Sequence, residues 1–198
     1  MFNINKIIQT VLSNDFVYGG EHQSSSERTK ITLPLLPTNI QLNLIFKEFC
    51  SYLLNNLKQN KSIFIPNFGI FSFKYVNNIN VNDNYNFTKS FTNYMNFNNK
   101  KIIFILDKKF YKILNKIKKD NKNVLLQPKN LSEIKNLIEW NAYLISKKLC
   151  LKTNVIEDGI NSIIKCIYDL VESKRNVEIN FGFCQIIFKN QEFIFINN

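Results

Sequence analysis

The residues of this chain that could do chemistry are few, and lysine dominates them. A Ser-His-Asp triad or a histidine-containing zinc site needs a histidine, and the chain has one, His22, in a polar stretch. Cys50, Cys150, Cys166 and Cys184 include no CxxC pair, so we expect reduced core thiols. With only five glycines, the chain has no phosphate-binding loop or nucleophile motif. We therefore expect no enzymatic activity, no metal, no cofactor and no small-molecule substrate.

The lysines are concentrated in one segment. Eight of them lie within residues 100–119, with Asp107 as the one acid among them. Four of them recur at helical spacing and share one face, namely Lys108, Lys112, Lys116 and Lys119. The opposite face carries Phe110, Ile113, Leu114 and Ile117. The alternative interpretation is an ordinary solvated helix face. The predicted partner-binding residues are Lys100, Lys101, Lys108, Lys109, Lys112, Lys116, Lys118 and Lys119.

The net charge of +11 belongs mainly to the first part of the chain. Residues 1–120 carry 15 Lys and 1 Arg against 7 acids, a net of +9, and residues 121–198 carry 9 Lys and 1 Arg against 8 acids, a net of +2. Such a charge attracts nucleic acid, an acidic protein surface or anionic lipid. Lysine outnumbers arginine 24 to 2, and base reading favours arginine. No apolar stretch is long enough to span a bilayer, so no membrane partner is expected.

Periodicity predicts the elements that position these lysines. Apolar residues at helical spacing predict a helix within residues 1–13 and another that starts at a capping box formed by Thr38 and Gln41. Residues 62–73 then predict a β-hairpin. Residues 75–99, rich in Asn, Tyr and Phe, predict an extended arm or a loop. A strand over 102–106 and a helix capped by Asp107 complete this half.

The second half repeats the order helix, helix, hairpin. A polar stretch at 119–129 predicts a linker, and a helix is expected to run from Ile134 to Ile145. A further helix with one apolar face follows over 156–171, and strands are predicted near 177–180, 183–188 and 193–196. Both halves therefore place an aromatic-glycine turn inside a hairpin, which indicates an internal repeat. Two units this small are expected to pack on each other or on a partner.

The order of elements resembles the bacterial histone-like HU/IHF fold. That family has two helices, a strand, a Gly-Phe-Gly-type turn and a strand, and then a β arm and a closing helix. Residues 141–149, 155–172 and 177–188 resemble its two helices and hairpin, and Ile45–Phe73 and Ile102–Leu114 resemble the same pattern in the first half. Ile65-Pro66-Asn67-Phe68-Gly69-Ile70-Phe71 also resembles the turn of the tandem HU-like region of the coiled-coil domain-containing protein 81 family. The turn motif residues are Ile65, Pro66, Phe68, Gly69, Phe71, Phe181 and Gly182.

The resemblance implies an α+β fold of two tandem HU/IHF-like units, each a helix pair plus a β-hairpin sheet, with the second unit truncated. The expected divisions are residues 1–120 for the first unit with its N-terminal extension and β arm, 121–130 for the linker, and 131–198 for the second unit. The arm of DNA-bending relatives ends in a proline wedge, whereas residues 75–99 contain neither Arg nor Pro. DNA bending is therefore not expected.

The resemblance also implies a function. Members of that branch are associated with centrosomes, cilia and microtubules. We therefore expect a cytoplasmic structural or scaffolding protein of the microtubule cytoskeleton, in the cilium, axoneme or centrosome, whose basic face contacts tubulin or another acidic protein surface. The alternative is a nucleic-acid-binding HU-like protein without sequence specificity, in which arm aromatics such as Tyr85 and Phe87 stack on bases.

Overall fold

The structure, a computed structural model, describes residues 1–18, 38–75, 100–117 and 134–198. Within these ranges the fold is α+β, as predicted. The helices are α1 (Ile4–Tyr18), α2 (Asn39–Lys58), α3 (Lys108–Ile117), α4 (Tyr143–Leu149) and α5 (Thr153–Glu172). The strands are β1 (Ser62–Ile65), β2 (Gly69–Tyr75), β3 (Lys100–Leu106), β4 (Leu137–Glu139), β5 (Val177–Asn180), β6 (Cys184–Lys189) and β7 (Glu192–Asn197).

The helix α2 begins where the sequence predicts. The Thr38 hydroxyl accepts from the Gln41 backbone N–H at 3.3 Å, and the Gln41 side chain accepts from the Thr38 N–H at 2.8 Å. This reciprocal pair satisfies two backbone donors that the first helical turn otherwise leaves free. The apolar stripe of α2 is buried at Leu42, Ile45, Phe46, Phe49, Leu53 and Leu57. The capping box and the stripe therefore confirm the predicted helix.

The first half builds a four-stranded sheet in the order β3-β2-β1-β4. The predicted hairpin is confirmed, with Ile63 opposite Phe71. Strand β3 extends the sheet antiparallel to β2, and Phe104 lies opposite Phe71. The far edge is β4, which runs parallel to β1.

The prediction of a continuous helix from Ile134 to Ile145 is wrong. Asn136 has a left-handed φ of 53°, which a helix interior does not accommodate. Leu137–Glu139 instead forms β4, and the Trp140 N–H donates to the Phe64 carbonyl at 3.0 Å. Helix α4 starts only at Tyr143. Pairing with a distant strand therefore decides this segment, and its apolar spacing does not reveal that partner.

The second half forms a three-stranded antiparallel sheet in the order β5-β6-β7, as its predicted strands require. The outer edge of β5 is occupied by the start of the chain. Phe2 forms a parallel bridge with Val177, its N–H donating to the Asn176 carbonyl and its carbonyl accepting from the Glu178 N–H, both at 2.8 Å. Residues just before α1 thus add to the second sheet, while residues just before α4 add to the first.

The helices of both halves build one hydrophobic core. Helices α1 and α4 each pack on both α2 and α5. Gly159 allows α5 to approach α2 closely, since a Cβ there would lie 3.1 Å from Leu42 Cδ2. Buried residues of both halves form a single cluster. The two halves therefore pack on each other, as their small size led us to expect.

Several predicted features fall outside the part of the chain that the structure describes. The linker over 121–130 is one, and the unit boundaries stay a prediction. The arm over 75–99 is described only at Tyr75, the last residue of β2, and His22 is outside the described ranges as well. The first predicted helix is confirmed and extends to Tyr18.

Candidate partner-binding surface

The predicted turn motif residues meet in the core rather than on the surface. Ile65, Phe68, Phe71 and Phe181 are buried, Pro66 is half-buried, and Gly182 is exposed. The Phe181 ring lies 5.3 Å from Phe71 and 6.3 Å from Phe68, centroid to centroid. Aromatic pairs at such separations contribute beyond their buried area. The buried rings of the two turns therefore join the halves.

The two turn glycines have different reasons to be glycine. Gly69 has a φ of +151°, and a Cβ on it would lie 2.3 Å from the Ile105 carbonyl oxygen and 2.7 Å from Phe104 Cζ. Gly182 has a φ of +84° with no atom within 4 Å of such a Cβ. The first position therefore needs glycine for both close approach and conformation, and the second for conformation alone.

The first group of predicted lysines lies at the start of α3. The Asp107 carboxylate accepts from the Lys109 backbone N–H at 2.8 Å, which caps the helix as predicted. Lys108, Lys109 and Lys112 are exposed, while Phe110 on the opposite face is fully buried. The Lys109 ammonium also donates to Asn67 Oδ1 at 2.7 Å. These lysines therefore form a solvent-facing basic patch, attached through Lys109 to the β1–β2 turn.

The second group lies at the opposite end of β3. Lys101 is exposed, and Lys74 on β2 lies directly opposite it. The Lys100 ammonium donates to Asn60 Oδ1 at 3.0 Å and lies 5.9 Å from the centroid of the Phe73 ring. Lys74 is absent from the predicted set. Only the antiparallel pairing of β2 with β3, which the sequence does not reveal, places it across from Lys101.

The structure thus divides the predicted basic face into two groups. Six residues separate Lys101 from Lys108 along β3 and the turn after it, which corresponds to about 20 Å of extended chain. Lys116 belongs to α3, but its side chain is outside the described set, and Lys118 and Lys119 are outside the described ranges altogether. The described lysines therefore offer two contact points on the first half rather than one stripe.

A cleft of about 710 Å³ lies where the two halves meet, beside the first lysine group. Trp140 and Tyr168 contribute aromatic surface to it. The charges around it are of both signs, Lys109 and Lys165 against Glu139 and Glu157. Its lining therefore favours neither an anion nor a cation.

One family matches the chain, and the match covers the turn and the lysines just described. Residues 19–118, just over half of the 198 residues, match the model of the family described as CCDC81 eukaryotic HU domain 1. The chain belongs to this family. The resemblance seen in the Ile65–Phe71 turn is therefore confirmed, and the first half carries a eukaryotic HU-like domain. No curated protein matches the chain.

The family match ends before the second half. It includes β1, β2, β3 and α3, with Lys100 and Lys108, but it stops short of α4 and α5. The second half shows the same order of two helices and an antiparallel hairpin with a third strand. Its assignment as a second HU-like unit stays a prediction.

The cysteines of this family member are free thiols. Burial raises the pKa of Cys50 to about 12 and that of Cys166 to about 11, and it raises the pKa of Cys184 as well. Cys150 is exposed. Because the thiolate is the reactive form, Cys50, Cys166 and Cys184 are chemically quiet at neutral pH.

The described ranges contain no group of three or more His, Cys, Asp or Glu residues placed to hold a metal ion. None of their helices combines the length and the apolar character that crossing a membrane requires.

Proposed function

We propose that the protein is a non-enzymatic scaffold of the microtubule cytoskeleton that acts in the cilium, axoneme or centrosome. Its partner in this proposal is an acidic protein surface, with tubulin as the first candidate. The observation that carries the proposal is the pair of lysine groups on the HU-like half, with Lys101, Lys108 and Lys112 all exposed. Exposed lysines accelerate association with an oppositely charged surface and give it salt dependence.

The non-enzymatic part of the proposal rests on the sequence. One histidine and five glycines leave little material for acid–base or phosphate-binding motifs. The cytoskeletal part rests on the family, whose resemblance implies a role at microtubules. Neither part follows from the fold alone, because one fold supports many functions.

Co-sedimentation with taxol-stabilised microtubules tests the proposal. The full chain should pellet with microtubules at low salt and be released as salt rises, because exposed charge pairs are screened. A tagged chain should localise to axonemes or centrosomes in ciliated cells. Absence of both pelleting and localisation would remove the proposal.

The second candidate function is nucleic-acid binding without sequence preference, which the HU-like domain and the lysines favour. Binding to a DNA duplex through phosphates should weaken linearly in a plot of log affinity against log salt, with a slope that counts the contacts. A duplex affinity that is absent, or insensitive to salt, rejects this candidate.

A further inference from the structure

One end of the four-stranded sheet carries lysines from three separate segments. Lys74 on β2 lies opposite Lys101 on β3, Lys100 is adjacent, and Lys135 precedes β4. We name these four residues the lysine end. The described residues that build it, 58–62, 72–75, 100–103 and 134–137, contain no Asp or Glu.

Backbone and side-chain hydrogen bonds hold these segments together around one loop residue, Asn60. Its side-chain oxygen accepts from Lys100 Nζ at 3.0 Å, and its carbonyl accepts from Asn136 Nδ2 at 3.4 Å. The Asn136 carbonyl in turn accepts from the Ser62 N–H at 3.0 Å. The segment that carries Lys135 is thereby tied to the start of β1, so the positions of the charges are fixed by the fold.

A cleft of about 480 Å³ opens beside these lysines, within the size range of ligand pockets. Its apolar lining comes from Phe73, Ile103, Ile105 and Ile134, and Lys100 and Lys135 contribute to its wall. Ser62 and Ser72 also line it, but their hydroxyls bond to each other at 2.9 Å and both residues are buried. The cleft therefore presents apolar surface flanked by positive charge.

The arrangement of the lysines destabilises the protein when no partner is bound. Like charges directly opposite each other on neighbouring strands destabilise a sheet, and Lys74 and Lys101 are such a pair. Within the described ranges, neither they nor Lys135 has an ion-pair partner. An anionic partner would relieve this repulsion and gain the attraction of Lys74, Lys101 and Lys135.

We propose that this cleft docks an acidic peptide segment. Its carboxylates face the lysine end, and one apolar side chain enters between Ile103, Ile105 and Ile134. A peptide fits better than a nucleic acid because three isoleucines and a single aromatic ring, Phe73, supply the apolar lining, and because no arginine lies in the described residues of this end. The inference rests on the proposed function in taking an acidic protein as the partner, and it adds the location and chemistry of the contact.

Fluorescence anisotropy of a labelled peptide tests the inference. The probe is a short peptide of glutamates with one central leucine, and its partner peptide has serine in place of that leucine. The leucine peptide should bind the full chain about fivefold or more tightly than the serine peptide, because only leucine gains from burial. Equal binding of the two peptides would overturn the inference, since the cleft would then have no part.

Matched charge reversals locate the contact. The triple variant Lys74→Glu, Lys101→Glu and Lys135→Glu should weaken leucine-peptide binding at least about tenfold. The control triple variant Lys147→Glu, Lys152→Glu and Lys165→Glu changes the net charge equally at exposed lysines of the second half, and it should change binding less than about twofold. Equal losses in both variants would overturn the inference. Circular dichroism verifies that each variant is folded.

Two further measurements complete the test. Ile103→Thr keeps a β-branched residue but removes apolar surface, and it should abolish the difference between the leucine and serine peptides; a retained difference overturns the inference. The second measurement is competition by a DNA duplex. If the duplex displaces the labelled leucine peptide at a lower concentration, counted in negative charges, than unlabelled leucine peptide does, the inference is overturned in favour of nucleic acid.

Failure of this inference and failure of the proposed function give different results. If the chain pellets with microtubules but does not bind the peptide, the peptide inference is wrong and the scaffold proposal stands. If the peptide binds in the predicted way but microtubules do not pellet the chain, the docking site stands and the cytoskeletal proposal is wrong.

Discussion

Each half of the molecule adds a segment to the sheet of the other half, but the two segments differ in length. Before α4, three residues form β4 and pair with β1 in the first sheet. Before α1, the single residue Phe2 bridges β5 in the second sheet. The helix that follows each segment packs against the second helices of both halves. Buried residues of both halves form one core, so the fold depends on both halves.

The halves also differ in what they expose. The lysine groups lie on the HU-like half at α3 and at the start of β3. On the outer face of the second sheet, Ile194 and Ile196 are 41% and 38% exposed. The two halves therefore share one core but present unlike surfaces to solvent.

The largest expected effect comes from shortening one buried side chain on α1 or α4. Ile7 on α1 is fully buried and Ile145 on α4 is 2% exposed, so either change to alanine should cost about 2–5 kcal/mol. Because both halves share one core, each variant should still unfold in one transition by calorimetry or urea titration. Two transitions, with one unaffected by the variant, would show that the halves are independent.

The two turn glycines should differ when each is changed to alanine. Gly69→Ala introduces a Cβ against the Ile105 carbonyl and should cost about 2–4 kcal/mol of unfolding free energy. Gly182→Ala meets no neighbouring atom and should cost about 1–2 kcal/mol, from backbone conformation alone. Urea titration measures both. Equal costs would contradict the difference in crowding between the turns.

Substitutions at the N-cap residues of the long helices α2 and α5 should change the stability of the chain in opposite directions. Thr38 caps α2 through its hydroxyl, so Thr38→Ala should destabilise the chain by about 1 kcal/mol. Lys152 stands at the same position of α5 with no side-chain cap bond. Lys152→Ser should therefore stabilise by about 0.5–1 kcal/mol, read from the shift in melting temperature. A destabilised Lys152→Ser variant would refute this comparison.

The smallest effect on the fold is expected at the cysteines. Cys150 should react with iodoacetamide in the native protein at pH 8, and Cys150→Ser should remove this reaction without changing stability. Burial raises the pKa of Cys50 and Cys166 to about 12 and 11, so their thiolate fraction at pH 8 is about a hundredfold or more below that of an ordinary thiol. Rapid labelling of either residue in folded protein would show that the core opens.

The sequence predicts the elements whose causes are local. Helices α2 and α5 have a continuous apolar stripe, α2 also has its capping box, and the hairpins have alternating strands around an aromatic-glycine turn. These features depend on residues within a few positions of each other, so spacing alone reveals them.

The sequence does not predict what depends on distant partners. Residues 137–139 belong to a segment whose apolar residues recur at helical spacing. They form a strand because they pair with the edge of β1. Phe2 meets Val177 across almost the whole chain. The same holds for the candidate site, because Lys74 and Lys135 join Lys100 and Lys101 only through strand register and the bonds of Asn136.

The central claim is that partner binding belongs to the charges of the HU-like half, and microtubule co-sedimentation of two matched variants tests it most directly. One carries Lys101→Glu, Lys108→Glu and Lys112→Glu, and the other carries Lys147→Glu, Lys152→Glu and Lys165→Glu, all at exposed positions. We predict that the first loses pelleting at least about tenfold while the second pellets like the unmodified chain. Equal loss in both, or loss in neither, would contradict the claim.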